Sequence, residues 1–270
     1  MAAEDGQIYY GHPEQPGDIG PLYHSRQRLT ARILTGSPLS PHTSLTSRVL
    51  TYLADPSKPA HLQKPAVPVL FFKPTSALAG PGQDMVVPRL ARGEKNDYEV
   101  ELCVVIGRDC RDVTEEEAMD YIAGYTVVND VSSRGLCGKG LQWGMAKAFD
   151  SWCPIGPVLV SASALGRDPH ALPITTRING QLVQKASTAG LVLPLPKLIS
   201  RLSHGATLQA GSLILTGSPV AIGRTMPGDV IEASPFMKHG DEVWCFVESC
   251  GTLINTVREE GVAGGAKAKL

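Results

Sequence analysis

The run Asp97-Tyr98-Glu99-Val100-Glu101-Leu102-Cys103-Val104-Val105-Ile106 reads as a β-strand with two unlike faces. Side chains alternate sides along a strand, so Tyr98, Val100, Leu102 and Val104 share an apolar face. Glu99 and Glu101 emerge together on the other. Two like charges side by side at the start of an otherwise apolar strand repel each other and need a reason. One reason is a wet strand end, with both carboxylates in water. The other is a shared divalent cation, because hard ions such as Mg2+ take oxygen ligands and few protein carboxylates. Asp130 bears on the choice, since it ends a second strand-like run, Tyr125-Thr126-Val127-Val128-Asn129. If the two strands are neighbours, three carboxylates converge at one end of a sheet; alternatively, Asn129-Asp130 merely builds a turn.

Outward from this run the pattern is one of many short strands. The 28 glycines and 21 prolines punctuate the chain densely, and aromatics make up only 6%; such spacing favours strands and turns over long helices. Strands are predicted at 69–72, 85–87, 98–106, 125–129, 155–160, 174–178, 212–216, 229–233 and 243–248. Thr114-Glu115-Glu116-Glu117 forms a capping box. It opens a short helix with Ala118, Tyr121 and Ile122 on one face, closed by Gly124. A second helix is predicted over 194–204, with Pro194 or Pro196 near its first turn and Gly205 beyond its end. Segments 36–48 and 54–68 read as connections. The division is a small N-terminal region and linker (1–60), a main domain (61–260) and a flexible tail (261–270). The fold class is a β-dominated α/β protein. No Gly-x-Gly-x-x-Gly follows a strand and there is no Walker loop, which argues against a doubly wound nucleotide fold.

The 25 basic and 26 acidic residues leave a formal charge of −1, without the basic excess that sequence-independent nucleic-acid binding needs. No stretch approaches the roughly 18 apolar residues of a membrane-spanning helix. The six cysteines form no CxxC pair and are too sparse for a disulfide-stapled scaffold. The acidic N-terminus differs from a signal peptide. These features point to a cytoplasmic protein with free thiols, while the terminal Ala268-Lys269-Leu270 approximates the peroxisomal Ser-Lys-Leu signal.

Four motifs, in identity, order and spacing, resemble the fumarylacetoacetate hydrolase family. They are Asp97-Tyr98-Glu99-Val100-Glu101-Leu102, the run Tyr125 to Arg134, Lys147-Ala148-Phe149-Asp150 and Leu215-Thr216-Gly217-Ser218-Pro219. The resemblance covers about residues 67 to 257, with weaker similarity at Gly6 to Gly11 and Leu34 to Pro38. It implies a mixed β-sandwich roll with a small N-terminal domain, a homodimer, and an Mg2+ or Mn2+ ion held by Glu99, Glu101 and Asp130. The implied substrates are small carboxylate or dicarbonyl compounds, keto acids and their enols, whose developing enolate charge the cation stabilises. The resemblance places Lys147 beside the metal carboxylates, where acids would keep it protonated and able to bind an oxyanion. Arg134 offers a planar fork for a carboxylate, and Thr216, Gly217 and Ser218 could cradle one. Lys73 and Thr188 match pocket-lining positions. Gln142 and Trp143 fit packing near the site better than a role in it.

The departures bear most on function. Family hydrolases and decarboxylases carry Asn-Tyr-x-x-His-Ala-x-Glu before the strand at 69–72, and its His and Glu activate water. With Tyr52 in the tyrosine position, Asp55 and Lys58 stand where that His and Glu would be, His61 is out of register, and the stretch from Val49 is shortened. Arg-Asp-x-Gln is replaced by Arg134-Gly135-Leu136-Cys137, and an acidic position by Gly190. Losing a general base costs hydrolysis on the order of 10²–10⁴-fold. Decarboxylation of a β-keto acid depends chiefly on enolate stabilisation and suffers less, and keto–enol tautomerisation or a metal-assisted cyclisation survives too, provided some proton carrier exists. The leading expectation is a Mg2+/Mn2+-dependent enzyme cleaving a C–C bond, by hydrolysis or decarboxylation, in a keto acid or 1,3-dicarbonyl compound. The alternatives are a tautomerase or isomerase, or a secondary-metabolite enzyme, on the same metal, and an inactive relative kept for binding.

Overall fold

The computed structural model describes residues 11–13, 31–33, 47–51, 68–139, 143–165, 168–219 and 235–262, the first three segments as backbone. In chain order the strands begin with β1 (Gly11–Pro13), β2 (Ala31–Ile33), β3 (Ser47–Thr51), β4 (Val69–Phe72), β5 (Leu78–Ala79) and β6 (Asp84–Val87). Next come β7 (Asn96–Asp97), β8 (Val100–Ile106), β9 (Ile122–Asn129), β10 (Ser132–Ser133) and β11 (Cys153–Ser161). The last are β12 (Pro173–Ile178), β13 (Gln181–Ser187), β14 (Leu213–Leu215), β15 (Glu242–Val247) and β16 (Gly251–Glu259). Two mixed sheets carry the fold: β4-β3-β14-β8-β9-β11-β5, and β13-β12-β15-β16-β6. β1 pairs with β2, and β7 with β10. The expected strand-dominated class is thus observed. No helix among the described residues is long and apolar enough to cross a membrane, and the six cysteines carry no disulfide.

β8 lies inside the larger sheet, flanked by β14 and β9. Its Val100, Leu102, Val104 and Ile106, with Tyr98 before them, enter a core shared with Ile174, Val183, Val243, Cys245, Val247, Leu253 and Val257 of the second sheet. Its other face carries Cys103 and Val105 into a smaller cluster with Phe71, Val128, Cys153, Leu213 and Leu215. The period-2 pattern thus separates two environments, and the glutamates lie on the smaller-cluster side. The helix Leu195–Ser203 buries Leu195, Leu198, Ile199 and Leu202, a stripe at i, i+3, i+4 and i+7. Pro194 precedes it, and Gly205 follows at φ 67°, the left-handed position that ends many helices.

The first expected helix needs correcting. The capping box forms, with the Glu117 N–H donating to Thr114 Oγ1 (3.3 Å) and the Thr114 N–H to Glu117 Oε2 (3.1 Å). It opens only the 3-10 turn Ala118–Tyr121, because Ile122 is already extended. Gly124 does not close a helix; it lies within β9. β11 approaches so closely there that a Cβ on Gly124 would sit 2.9 Å from the Val160 carbonyl carbon and nearer still to its oxygen. A glycine inside a strand marks such an approach. Gly124→Ala should therefore destabilise by about 1–3 kcal/mol through overpacking, read as a lower denaturant midpoint at unchanged slope. An unchanged midpoint would mean that β11 moves aside freely.

β13 and β16 were not anticipated. β13 is a polar edge strand (Gln181, Gln184, Lys185, Ser187), which hides its period. The signal that could have found it is Asn179-Gly180, both at positive φ (48° and 83°), a two-residue hairpin turn joining β12 to β13. The strand expected at 229–233 lies outside the described residues, as do Asp55, Lys58 and His61. Ser47–Thr51, where the segment read as a connection ends, is β3, paired with β14 and β4.

Candidate functional site

The site grows from the start of β8. Register pairs Val100 with Asn129 and Glu101 with Val128, so Asp130, one residue past β9, lands beside Glu99. The Asp130 N–H donates to the Glu99 carbonyl (2.8 Å), and the Glu99 N–H to Asn129 Oδ1 (2.9 Å). Carboxylate oxygens of Glu99, Glu101 and Asp130 come within 4.8 Å of one another. Glu101 and Asp130 are 0% exposed and Glu99 5%. The water-facing reading of the glutamates is therefore wrong: the strand pattern places the pair correctly, but the surrounding elements cover it.

Three cations converge on the acids. Lys147, at the end of the short helix Trp143–Lys147, donates to Glu99 Oε2 (2.5 Å) and Asp130 Oδ2 (2.6 Å). Lys73, just after β4, donates to Asp130 Oδ1 (2.6 Å) and the Val131 carbonyl (3.1 Å). Arg134, opening the helix Arg134–Gly138, donates to Asp97 Oδ2 (2.9 Å) and Glu99 Oε1. Ser132 Oγ adds a hydrogen bond to Glu99 Oε2 (3.1 Å). Glu101 differs: the Gly217 N–H donates to its Oε2 (2.7 Å), and its Oε1 has no partner among the described residues.

Burial opposes ionisation of Glu99, but Arg134 and Lys147 outweigh it and hold its carboxyl well below the usual range. For Glu101, burial and the charges of Asp130 and Glu99 push the carboxyl well up, against Lys147 and the Gly217 N–H. Lys147 is also opposed by burial, yet Asp130 and Glu99 keep its ammonium protonated. Four buried carboxylates (Asp97, Glu99, Glu101, Asp130) face three cations (Lys73, Arg134, Lys147), leaving one negative charge in excess when all are ionised. An unpartnered buried carboxylate oxygen among hard oxygen donors is what an Mg2+ or Mn2+ ion would satisfy, so the residues fit the implied metal.

A pH signature follows for the metal-free protein. Glu101 binds its proton more tightly folded than unfolded, so it favours folding at low pH. That contribution is lost as pH rises from its ordinary value through its raised folded value. Glu99 acts in the opposite sense below its ordinary value, where falling pH removes stability. In EDTA the melting temperature should decline as pH rises above the ordinary carboxylate range, and saturating Mg2+ should flatten that limb. A rise on that limb in EDTA would contradict the Glu101 environment.

The other expected site residues fall in two groups. Gly217 joins the cluster through Glu101, at φ 101°, a backbone region that disfavours any side chain. Thr216 turns its hydroxyl (2.9 Å) and amide (3.2 Å) to the Leu102 carbonyl, latching its loop onto β8. Ser218 Oγ accepts from Gln184 Nε2 (2.9 Å). Thr188 is tied to the 169–172 segment, donating to the Pro169 carbonyl (2.7 Å) and accepting from the Leu172 N–H (2.8 Å). Arg134 spends its fork on Asp97 and Glu99. Gly135, the departure beside it, has a local reason: a Cβ there would lie 2.7 Å from the Glu94 carbonyl oxygen. Gln142 lies outside the described residues, and the Trp143 ring stands edge-on to Phe71 at 6.0 Å.

Sequence reasoning missed Asp97, Phe71 and Gln184. Asp97 was within reach, two residues before Glu99 on the same strand face. Phe71, whose ring centroid lies 4.7 Å from Lys147 Nζ, had no local signal.

Comparison with known proteins identifies the family. Residues 46–258 match the family model described as fumarylacetoacetate (FAA) hydrolase C-terminal. An uncharacterised protein of Archaeoglobus fulgidus is 36% identical over 252 residues, 93% of this chain and 92% of its own. The mitochondrial oxaloacetate tautomerase FAHD2B of Bos taurus is 39% identical over 207 residues, 76% of this chain but only 63% of the bovine protein. The crystal structure of 5-carboxymethyl-2-hydroxymuconate delta-isomerase from Mycobacterium smegmatis superposes with a TM-score of 0.76 at 29% identity, covering 96% of this chain and 98% of that one. With the family model matched over residues 46–258 and a relative 36% identical over nearly its whole length, the chain belongs to the fumarylacetoacetate hydrolase family of enzymes.

Proposed function

We propose that this protein is a divalent-metal-dependent tautomerase or isomerase that moves a proton between the keto and enol forms of small keto-dicarboxylates. The observation that carries the reading is the buried Glu99–Glu101–Asp130 cluster, with Glu101 Oε1 unpartnered among the described residues, ringed by three cations. Supporting it, Asp55 and Lys58 stand where the water-activating pair of family hydrolases would be. Tautomerisation breaks a C–H bond beside the carbonyl and forms an O–H bond, with no water consumed and no group leaving. It therefore needs no activated water, only a group that carries the proton between carbon and oxygen.

An Mg2+ or Mn2+ ion held by Glu99, Glu101 and Asp130 would supply Lewis-acid stabilisation of charge developing on the keto oxygen. Around that position, Lys147 keeps a positive charge among the acids. Lys73 holds Asp130 from the other side, and Arg134 locks Asp97 and Glu99 in place. Gly217 fixes one Glu101 oxygen and leaves the other without a partner among the described residues. Burial of all three ligands lowers the local dielectric, which strengthens each of these interactions.

The activity for which the bovine relative is named makes oxaloacetate the first substrate to test. Enol absorbance and proton NMR in D2O, with Mg2+ or with EDTA, follow its interconversion, and a coupled assay follows pyruvate and CO2. Metal-dependent decay of the enol without pyruvate supports the reading. Pyruvate appearing in step with the decay would instead support the C–C cleaving alternative, because decarboxylation of a β-keto acid uses the same enolate stabilisation. Saturable metal binding without turnover of keto-dicarboxylates would move the protein to a binding role.

A further inference from the structure

Among the second-sheet side chains that reach toward the site is Gln184. Gln184, in β13, is 1% exposed and uses four hydrogen-bonding positions. Its Oε1 accepts from the Thr176 hydroxyl (2.7 Å) and from the Val100 N–H (3.3 Å), the amide between the two glutamates. Its Nε2 donates to Ser218 Oγ (2.9 Å) and to the Pro219 carbonyl (2.5 Å). The Val100 N–H, which can only donate, and the Pro219 carbonyl, which can only accept, fix which end of the amide faces β8. Gln184 therefore ties β8, which presents Glu101, to the turn that presents the Gly217 N–H to Glu101 Oε2 at 2.7 Å.

We propose that Gln184 is a positioning residue that sets the aim of the Glu101 carboxylate by holding the 216–219 turn against β8. It touches neither the carboxylates nor any reacting atom. Its effect passes through Gly217, whose N–H has to stay in line for Glu101 to keep one oxygen anchored and the other directed at the ion. Without the Gln184 amide, the Pro219 carbonyl and the Val100 N–H lose a buried partner, and the turn can drift by the few tenths of an ångström that metal geometry notices. Outer-shell partners of metal ligands typically change affinity by about 10- to 100-fold.

The proposal rests on the metal-site reading, so the test measures Mn2+ itself. Free Mn2+ is titrated by electron paramagnetic resonance on wild type, Gln184→Met, Thr176→Val, Ser218→Ala and the core control Val183→Ala. Gln184→Met keeps length and volume but makes none of the four hydrogen bonds. The expected result is a Kd raised about 10- to 100-fold in Gln184→Met. Smaller increases are expected in Thr176→Val and Ser218→Ala, and none in Val183→Ala although it lowers the melting temperature. Wild-type affinity in a cooperatively melting Gln184→Met would overturn the proposal. An equal loss in Val183→Ala would also overturn it, since general loosening of β13 would then suffice. If Gln184→Met fails to fold, Thr176→Val and Ser218→Ala decide, and wild-type affinity in both overturns it. Absence of saturable Mn2+ binding in the wild type is the separate failure of the metal reading, and removes the proposal with it.

Discussion

Glu101→Gln should make the protein more stable than wild type in EDTA at neutral pH and less stable than wild type in saturating Mg2+. The inversion follows from the environment of Glu101. Its carboxylate is fully buried, its Oε1 has no partner among the described residues, and burial with the charges of Asp130 and Glu99 opposes its ionisation. Glutamine preserves the shape and an acceptor for the Gly217 N–H while removing the buried charge. It also removes one of the three anionic ligands. A metal present at 100 times its Kd stabilises the wild type by about 2.7 kcal/mol, roughly 5–10 °C for a chain of this size, and the variant loses that increment. Calorimetric scans in EDTA and in Mg2+ test both halves, with the exposed Glu115→Gln as control. A variant that gains as much from Mg2+ as the wild type would show that the ion, if bound, sits elsewhere.

Lys147→Met should give the opposite pattern. The ammonium is buried between Glu99 and Asp130 at 2.5 and 2.6 Å, and removing one partner of a buried ion pair costs about 3–5 kcal/mol because the remaining charge is stranded. In EDTA the melting temperature should fall by roughly 6–20 °C. Added Mg2+ or Mn2+ should restore more stability than it gives the wild type, since a dication replaces the missing charge beside the same acids. Turnover should nevertheless drop about 10²-fold or more, as when one donor to a developing oxyanion is removed. Equal destabilisation with and without metal would argue that Lys147 acts only in packing against Phe71.

These variants test different layers of the same site, and the layers were unequally legible. The apolar face of the strand at 98–106 and the shared side of Glu99 and Glu101 follow from period-2 geometry alone. The structure packs the apolar residues of the two faces into separate hydrophobic clusters. The capping box at Thr114 was readable and forms. How far it propagates was not, because the demand of β9 for an extended Ile122 overrides it. Gly124 shows the limit most clearly: as punctuation it signals a helix end, whereas its use is to admit the Val160 carbonyl of another strand.

What the sequence determined by itself is which chemistry the chain can hold: three carboxylates at strand-end positions and no nucleotide loop, to which the family resemblance adds Asp55 and Lys58 where a water-activating pair would stand. Those properties are carried by residue type and by spacing over a few positions, which backbone geometry converts directly into shared faces. Only the tertiary structure decided what surrounds the carboxylates. Lys147 reaches Glu99 across 48 positions, Lys73 reaches Asp130 across 57, Gln184 reaches Val100 across 84 and Gly217 reaches Glu101 across 116. Contacts at such separations depend on strand order and register across two sheets, and no local periodicity encodes them. The burial that turns two repelling glutamates from a wet strand end into a candidate site for a cation is a property of the assembled sheets, because it requires neighbouring elements to exclude water from them.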